Sequence, residues 1–266
     1  MVSLGGTRVV VTGATSGLGL AMARALAAAG ARVGVTSRGR VRAETTAREL
    51  GPRALGFGLD VRDEQSVAAF VAEVRERFGG IDMLVNNAGI GMRTVNARFP
   101  AYVQPFWEVS PDGFRDVFDT KVTGVFLVAR AVAPLMLAAG SGRIVTISMS
   151  EGTMTRRGFV PYGPAGAAVE ALSRIMAAEL AGTPVTVNLL LPGGATATGM
   201  VPDEVPTEFR ERLLDPAIMG RPIVWLASEA AAGVHDERII AREFEEWLAR
   251  HAPPALDGSR LAAGRD

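Results

Sequence analysis

The chain has 266 residues, 48% of them hydrophobic, enough to bury one large core within a single domain. Its 28 basic and 28 acidic side chains cancel, so no basic field points to nucleic acid or to an acidic membrane surface. The absence of cysteine excludes disulfides, thiolate nucleophiles and zinc–thiolate sites. The only histidines, His235 and His251, lie near the C-terminus, too few for a histidine triad or metal cluster, and no metal is expected. Residues 1–6 lack a basic region followed by an apolar one, so no signal peptide is expected. The most apolar stretch, 125–139, is interrupted by Arg130 and Pro134 and is read as too short to span a bilayer. A soluble cytoplasmic protein with a small-molecule substrate is expected.

The elements alternate along the chain. Residues 8–12 are rich in β-branched side chains, the composition of a buried strand. A glycine-rich turn follows, then an alanine-rich apolar helix from Leu20 to Ala29, stopped by Gly30, and a second strand at 32–36. A third strand is expected at 53–59. A helix at 64–78 has Val67, Phe70, Val71, Val74 and Phe78 on one face. A strand at 82–85, a long helix at 113–137, a strand at 143–148, a long helix at 161–180 and a strand at 185–190 complete the alternation. After Pro192 the pattern dissolves into Gly, Pro and Thr, and residues 193–216 are expected to form a mobile lid. Residues 238–241 read as a strand and 242–248 as an amphipathic helix whose expected role is packing. The Pro/Gly/polar end, 253–266, is expected to be a disordered tail. Strands alternating with helices argue for a parallel sheet covered on both faces, one α/β domain over residues 1–252.

The first forty residues organise the rest. Three glycines, Gly13, Gly17 and Gly19, sit between a strand and a helix, where the backbone must turn tightly and approach a ligand closely. The helix N-terminus there offers free N–H groups to an anion. The strand and helix flanking this turn make it a dinucleotide pyrophosphate site. Thr12-Gly13-Ala14-Thr15-Ser16-Gly17-Leu18-Gly19 resembles the TGxxxGxG turn of the short-chain dehydrogenases/reductases. Asp60-Val61, Asn86-Asn87-Ala88-Gly89, Tyr162 and Pro192-Gly193 follow in that family's order, and the resemblance spans about residues 5–240.

The resemblance implies a doubly wound, Rossmann-type sheet in three αβα layers and a nicotinamide cofactor. It puts the pyrophosphate over Gly13, Thr15, Ser16, Gly17, Leu18 and Gly19, and the adenine beside Asp60 and Val61. The loop Asn87-Ala88-Gly89 runs along the cofactor, and Pro192, Gly193 and Thr196 or Thr198 serve the carboxamide. After the second strand stands Arg38, with no acid before Glu44. A guanidinium forks onto a ribose phosphate where a carboxylate would repel it, so NADP(H) is expected over NAD(H). The helices at 113–137 and 161–180 resemble those that pair subunits in the family, implying a homodimer or homotetramer.

The family's reacting group is a tyrosine, a lysine four residues later, a serine and an asparagine. An unperturbed phenol titrates near 10, and a neighbouring cation corrects it. Here Tyr162 is kept, but the lysine position is Gly166 and the asparagine position is Lys121. The serine position is Met149, with Ser148 and Ser150 one residue to either side. In one reading the cation has moved: Lys121 enters the volume vacated at Gly166, and hydride transfer continues. In a second, the scaffold performs non-redox isomerisation, dehydration or cyclisation with Glu151, Arg156, Arg157 and Tyr162 as its polar groups. In a third it is a catalytically inactive homologue. The loop from Arg93 to Trp107, carrying Phe99, Tyr102 and Phe106, is expected to wall the substrate pocket together with Met149, Glu151 and the lid, so that a hydrophobic or aromatic small molecule fits.

Overall fold

A computed structural model describes residues 2–202 and 205–251. Seven strands form one sheet: β1 (Arg8–Val11), β2 (Arg32–Ser37), β3 (Ala54–Gly58), β4 (Met83–Asn86), β5 (Gly142–Ile147), β6 (Val185–Leu191) and β7 (Arg238–Ile240). Their order is β3-β2-β1-β4-β5-β6-β7 and every pairing is parallel. The helices are α1 (Gly17–Ala28), α2 (Arg40–Leu50), α3 (Glu64–Glu73), α4 (Pro111–Phe118), α5 (Gly124–Ala139), α6 (Glu151–Met154), α7 (Tyr162–Leu180), α8 (Thr207–Arg210), α9 (Gly220–Leu226) and α10 (Phe244–His251). This is the expected doubly wound α/β domain. Chain order reverses between β1 and β4, which opens a cleft beyond the carboxyl ends of the strands.

Side chains alternate across the sheet with the strand period of two. Val9 and Val11 of β1, Met83 and Val85 of β4, and Val145 of β5 meet α1 residues Met22 and Leu26 on one face. Val10, Leu84 and Ile144 meet Phe57, Phe70, Val132 and Met136 on the other. Both faces are therefore buried, as a parallel sheet requires. The C-terminal strand and helix are present as expected, and α10 packs. Trp247 stacks on Phe244 at 6.0 Å and meets Trp225 edge-on at 5.4 Å.

Three expectations are corrected or refined. Helix α2 was not anticipated, because it buries only the small Ala43, Thr46 and Ala47 and gives almost no apolar period. It lies against β3 through Gly56, where any Cβ would run into the backbone of Glu44. The apolar stretch read as too short to cross a bilayer belongs to a continuous helix of 29 residues, Pro111–Ala139, long and apolar enough for a span by length and composition. Its most apolar window is 33% buried, with Val125, Val128, Val132 and Met136 turned inward. That helix also contains a π-helical turn at Asp119–Thr123, where the Gly124 N–H reaches back five residues to the Asp119 carbonyl. Between β6 and α9, Thr196 and Leu214 form a parallel bridge and Thr207–Arg210 form the short α8. The expected tail, 253–266, lies outside the described residues.

Candidate active site

The cleft is a cavity of about 1030 Å³ at the carboxyl end of the sheet. At its cofactor end, Gly13 (φ 63°) and Gly17 (φ 53°) adopt the left-handed conformation that favours glycine. A Cβ on Gly19 would strike the Gly13 carbonyl and the Asn87 amide. The Asn87 Nδ2 donates to the carbonyls of Thr12 and Gly13 at 2.9 and 3.2 Å, and the Thr12 hydroxyl accepts from the N–H groups of Asn87 and Ala88. The sequence Asn87-Ala88 is thus a brace between β1 and β4. Helix α1 starts at Ser16 without a side-chain cap and without an acid in its first turn. Its N–H groups face a wall that bare glycine backbone leaves open, so the residues fit a pyrophosphate.

Thr15, Ser16, Leu18, Asp60, Val61, Gly89, Pro192, Thr196 and Thr198 all line this cavity. Gly193 does not. It lies behind the wall, where a Cβ would meet Ile240 at 2.7 Å. The Arg62 guanidinium bonds both oxygens of Asp60, at 3.0 and 2.8 Å, and holds that carboxyl below its ordinary range. Arg38 lines the same end, joined by Arg42 and Arg62, which the sequence reading did not single out. Arg42 stands in the first turn of α2, four residues beyond Arg38.

At the other end Tyr162 is the first residue of α7, and burial pushes its phenol above the ordinary value. Lys121 stands in the π-helical turn, with its Nζ 5.5 Å from the centre of the Tyr162 ring. Burial lowers its ammonium to about 8, with Glu170 opposing the shift. Lys121 and Tyr162 are thus brought together, but not through an empty space at position 166. A Cβ on Gly166 would meet the Met149 Cε and Sδ at 2.7 Å, so the thioether already fills that volume. The glycine and the methionine are a packed pair. Gly166→Ala is expected to change stability by less than about 1 kcal/mol, the clash with the flexible end of Met149 offsetting the helix propensity that alanine gains; in the Met149→Ser background the same change should stabilise, and urea unfolding of the single and double variants measures the coupling.

Ser148 is 6% exposed, and its hydroxyl donates to Glu170 Oε1 at 2.5 Å. Glu170 in turn accepts from Arg238 Nε at 3.0 Å, and Arg238 also donates to the Met149 carbonyl. With its proton engaged, Ser148 has only lone pairs left to offer the cleft. Ser150 pairs with Thr153 at 2.9 Å, either hydroxyl being able to donate, and both line the cavity. Glu170 and Thr153 escaped the sequence reading, since neither belongs to a spaced motif. Three expected wall residues are misplaced. Phe106 and Trp107, 68% and 74% exposed, pack edge-on against each other outside the cleft, while Glu151 opens α6 on the surface. Arg93 and Met149 do line it, with Phe99, Tyr102 and Phe159.

Residues 7–208 match the family described as short chain dehydrogenase. The chain is 32% identical to the 3-oxoacyl-(acyl-carrier-protein) reductase FabG of Vibrio cholerae, over 89% of this chain and 96% of that protein. It is 36% identical to the cis-4-hydroxycyclohexanecarboxylate dehydrogenase of Sinomonas cyclohexanicum, over 85% and 90% of the two chains. A crystal structure of 3-ketoacyl-(acyl-carrier-protein) reductase from Brucella melitensis, complexed with NADH, superposes with a TM-score of 0.79 at 30% identity, covering 90% of this chain and 97% of that one.

Proposed function

The chain belongs to the short-chain dehydrogenase family of oxidoreductases, and on that premise we propose an NADP(H)-dependent enzyme of atypical active site. It interconverts a carbonyl and a hydroxyl on a hydrophobic or aromatic small molecule. The observation that carries the reading is Lys121 Nζ over the Tyr162 ring, which supplies the cation that Gly166 lacks. The activities of these relatives, a ketone reduction and an alcohol oxidation, support the reaction class.

Held by the turn at 13–19 and the loop at 87–89, a nicotinamide would supply the hydride for the carbonyl carbon. Tyr162, kept neutral by burial, donates its phenolic proton to the carbonyl oxygen as the C=O π electrons move onto that oxygen. The Lys121 ammonium above the ring stabilises the phenolate left behind and restores its acidity. Because Ser148 is committed to Glu170, the hydroxyl that orients the substrate oxygen is Ser150, steadied by Thr153. The segment after β6 serves as a lid, and Thr196 or Thr198 would hold the carboxamide. The exposed Phe126 on α5 and Ile175 on α7, 46% and 56% exposed, supply an apolar face for a homodimer or homotetramer in the cytoplasm.

Following absorbance of the reduced nicotinamide during turnover of cyclic and aryl ketones tests the reaction class. Product formed without loss of that absorbance would overturn it in favour of non-redox chemistry. For the cofactor, Arg38 and Arg42 are expected to favour NADPH over NADH by about 1.5–3 kcal/mol, the worth of a charge-assisted hydrogen bond. Titration calorimetry on the protein and on Arg38→Ala/Arg42→Ala measures it, and equal affinities in the unmodified protein would defeat the assignment.

A further inference from the structure

The substrate half of the cleft carries a charge imbalance that the proposed reaction does not use. Asp60, at the adenine end, is the only acidic residue among the described residues that line the cavity. Arg93, Arg156 and Arg157 line the opposite end. They come from two separate elements, the turn Met92–Thr94 after β4 and the turn after α6. Among the described residues none of the three forms an ion pair with a carboxylate. Arg156 is held with its guanidinium 5.1 Å from the centre of the Phe159 ring. Phe159 meets Phe99 edge-on at 5.6 Å, which makes an aromatic wall beside the charge.

Cations left unpaired at the edge of an apolar cavity repel one another and gain most from a shared anion. Guanidinium suits a planar carboxylate because its N–H groups match both oxygens at once. All three arginines are exposed, so their desolvation costs little while solvent screening keeps the gain from an incoming anion modest. The aromatic wall next to them would hold a ring or alkyl body between the charged end and Tyr162.

We propose that the substrate is an oxo or hydroxy acid whose carboxylate, remote from the reacting carbon, is bound by Arg93, Arg156 and Arg157. This rests on the reductase reading for what happens at the other end of the molecule. Calorimetric titration of the NADPH-saturated protein with cyclohexanecarboxylate and with cyclohexanecarboxamide isolates the charge, because the two rings are the same. The acid is expected to bind about tenfold more tightly at low salt, with the preference shrinking as salt screens it. Arg156→Gln/Arg157→Gln should abolish the preference while NADPH binding is retained. Equal affinity for acid and amide, no binding of the acid, or a preference that survives in the double variant overturns the proposal. Coenzyme A binding more tightly than the acid, with the same arginine dependence, also overturns it and assigns the arginines to a carrier phosphate. Loss of ketone turnover with the acid preference intact overturns the reductase reading alone, so the two failures are distinguishable.

Discussion

Tyr162→Phe is expected to lower kcat by about 100- to 10,000-fold, the usual worth of a positioned general acid, with little change in cofactor affinity. The substitution removes one hydroxyl and keeps the ring, so packing at the start of α7 and the cation above the ring both survive. The chain's other phenol does not stand in. Tyr102 lines the cavity, but its hydroxyl donates to Glu108 at 2.7 Å. Steady-state kinetics beside a nucleotide titration separates the loss of chemistry from a loss of binding. A fully active variant would place the proton donor elsewhere and remove the basis of the proposed mechanism.

Lys121→Met should produce an enzyme that is slower yet harder to unfold. The loss of the ammonium is expected to cost at least about tenfold in kcat, or 1.4 kcal/mol, because Tyr162 then carries its burial penalty without a cation. The pH profile gives a second readout. Lys121 titrates at about 8, so reduction by the unmodified protein should decline as pH rises through that value and the ammonium discharges. In the variant that limb moves upward, since only the raised phenol remains to titrate. For stability the sign is opposite. The folded-state ammonium sits below its ordinary 10.5, so folding is penalised below pH 8, and the penalty fades between 8 and 10.5. Methionine escapes it, and a Tm rise of about 2–4 °C at pH 7, vanishing toward pH 10.5, corresponds to 1 kcal/mol in a chain of this size. A variant with unchanged rate and unchanged pH profile would falsify the role given to Lys121.

The sheet was readable because β-branched runs and glycine stops are local signals, and every strand fell within a residue or two of its expected span. Helix α2 was not readable, because what lets it form is a glycine on β3, in another element. The cofactor end was legible as spaced motifs. The reacting end was legible only in part. Lys121 and Tyr162 could be paired through family register, but position 166 read as empty space when a methionine 17 residues earlier fills it. Contacts between the segment after β5 and α7 have no signature in spacing. Trp107 was misplaced for a related reason. An aromatic in a loop carries no direction in its sequence, and this one turns outward onto Phe106.

The wide turn at Asp119–Thr123 gives the reacting end an unusual genetic exposure. The Gly124 N–H spans five residues there instead of four, so the turn holds one more residue than an α-helix needs. Since each residue in a regular helix advances about 100° around the axis, the heading of Lys121 is set by residue count as much as by residue type. An in-frame gain or loss of a single codon between Lys121 and Gly124 would swing the ammonium away from Tyr162 while leaving every side chain near the cleft chemically intact.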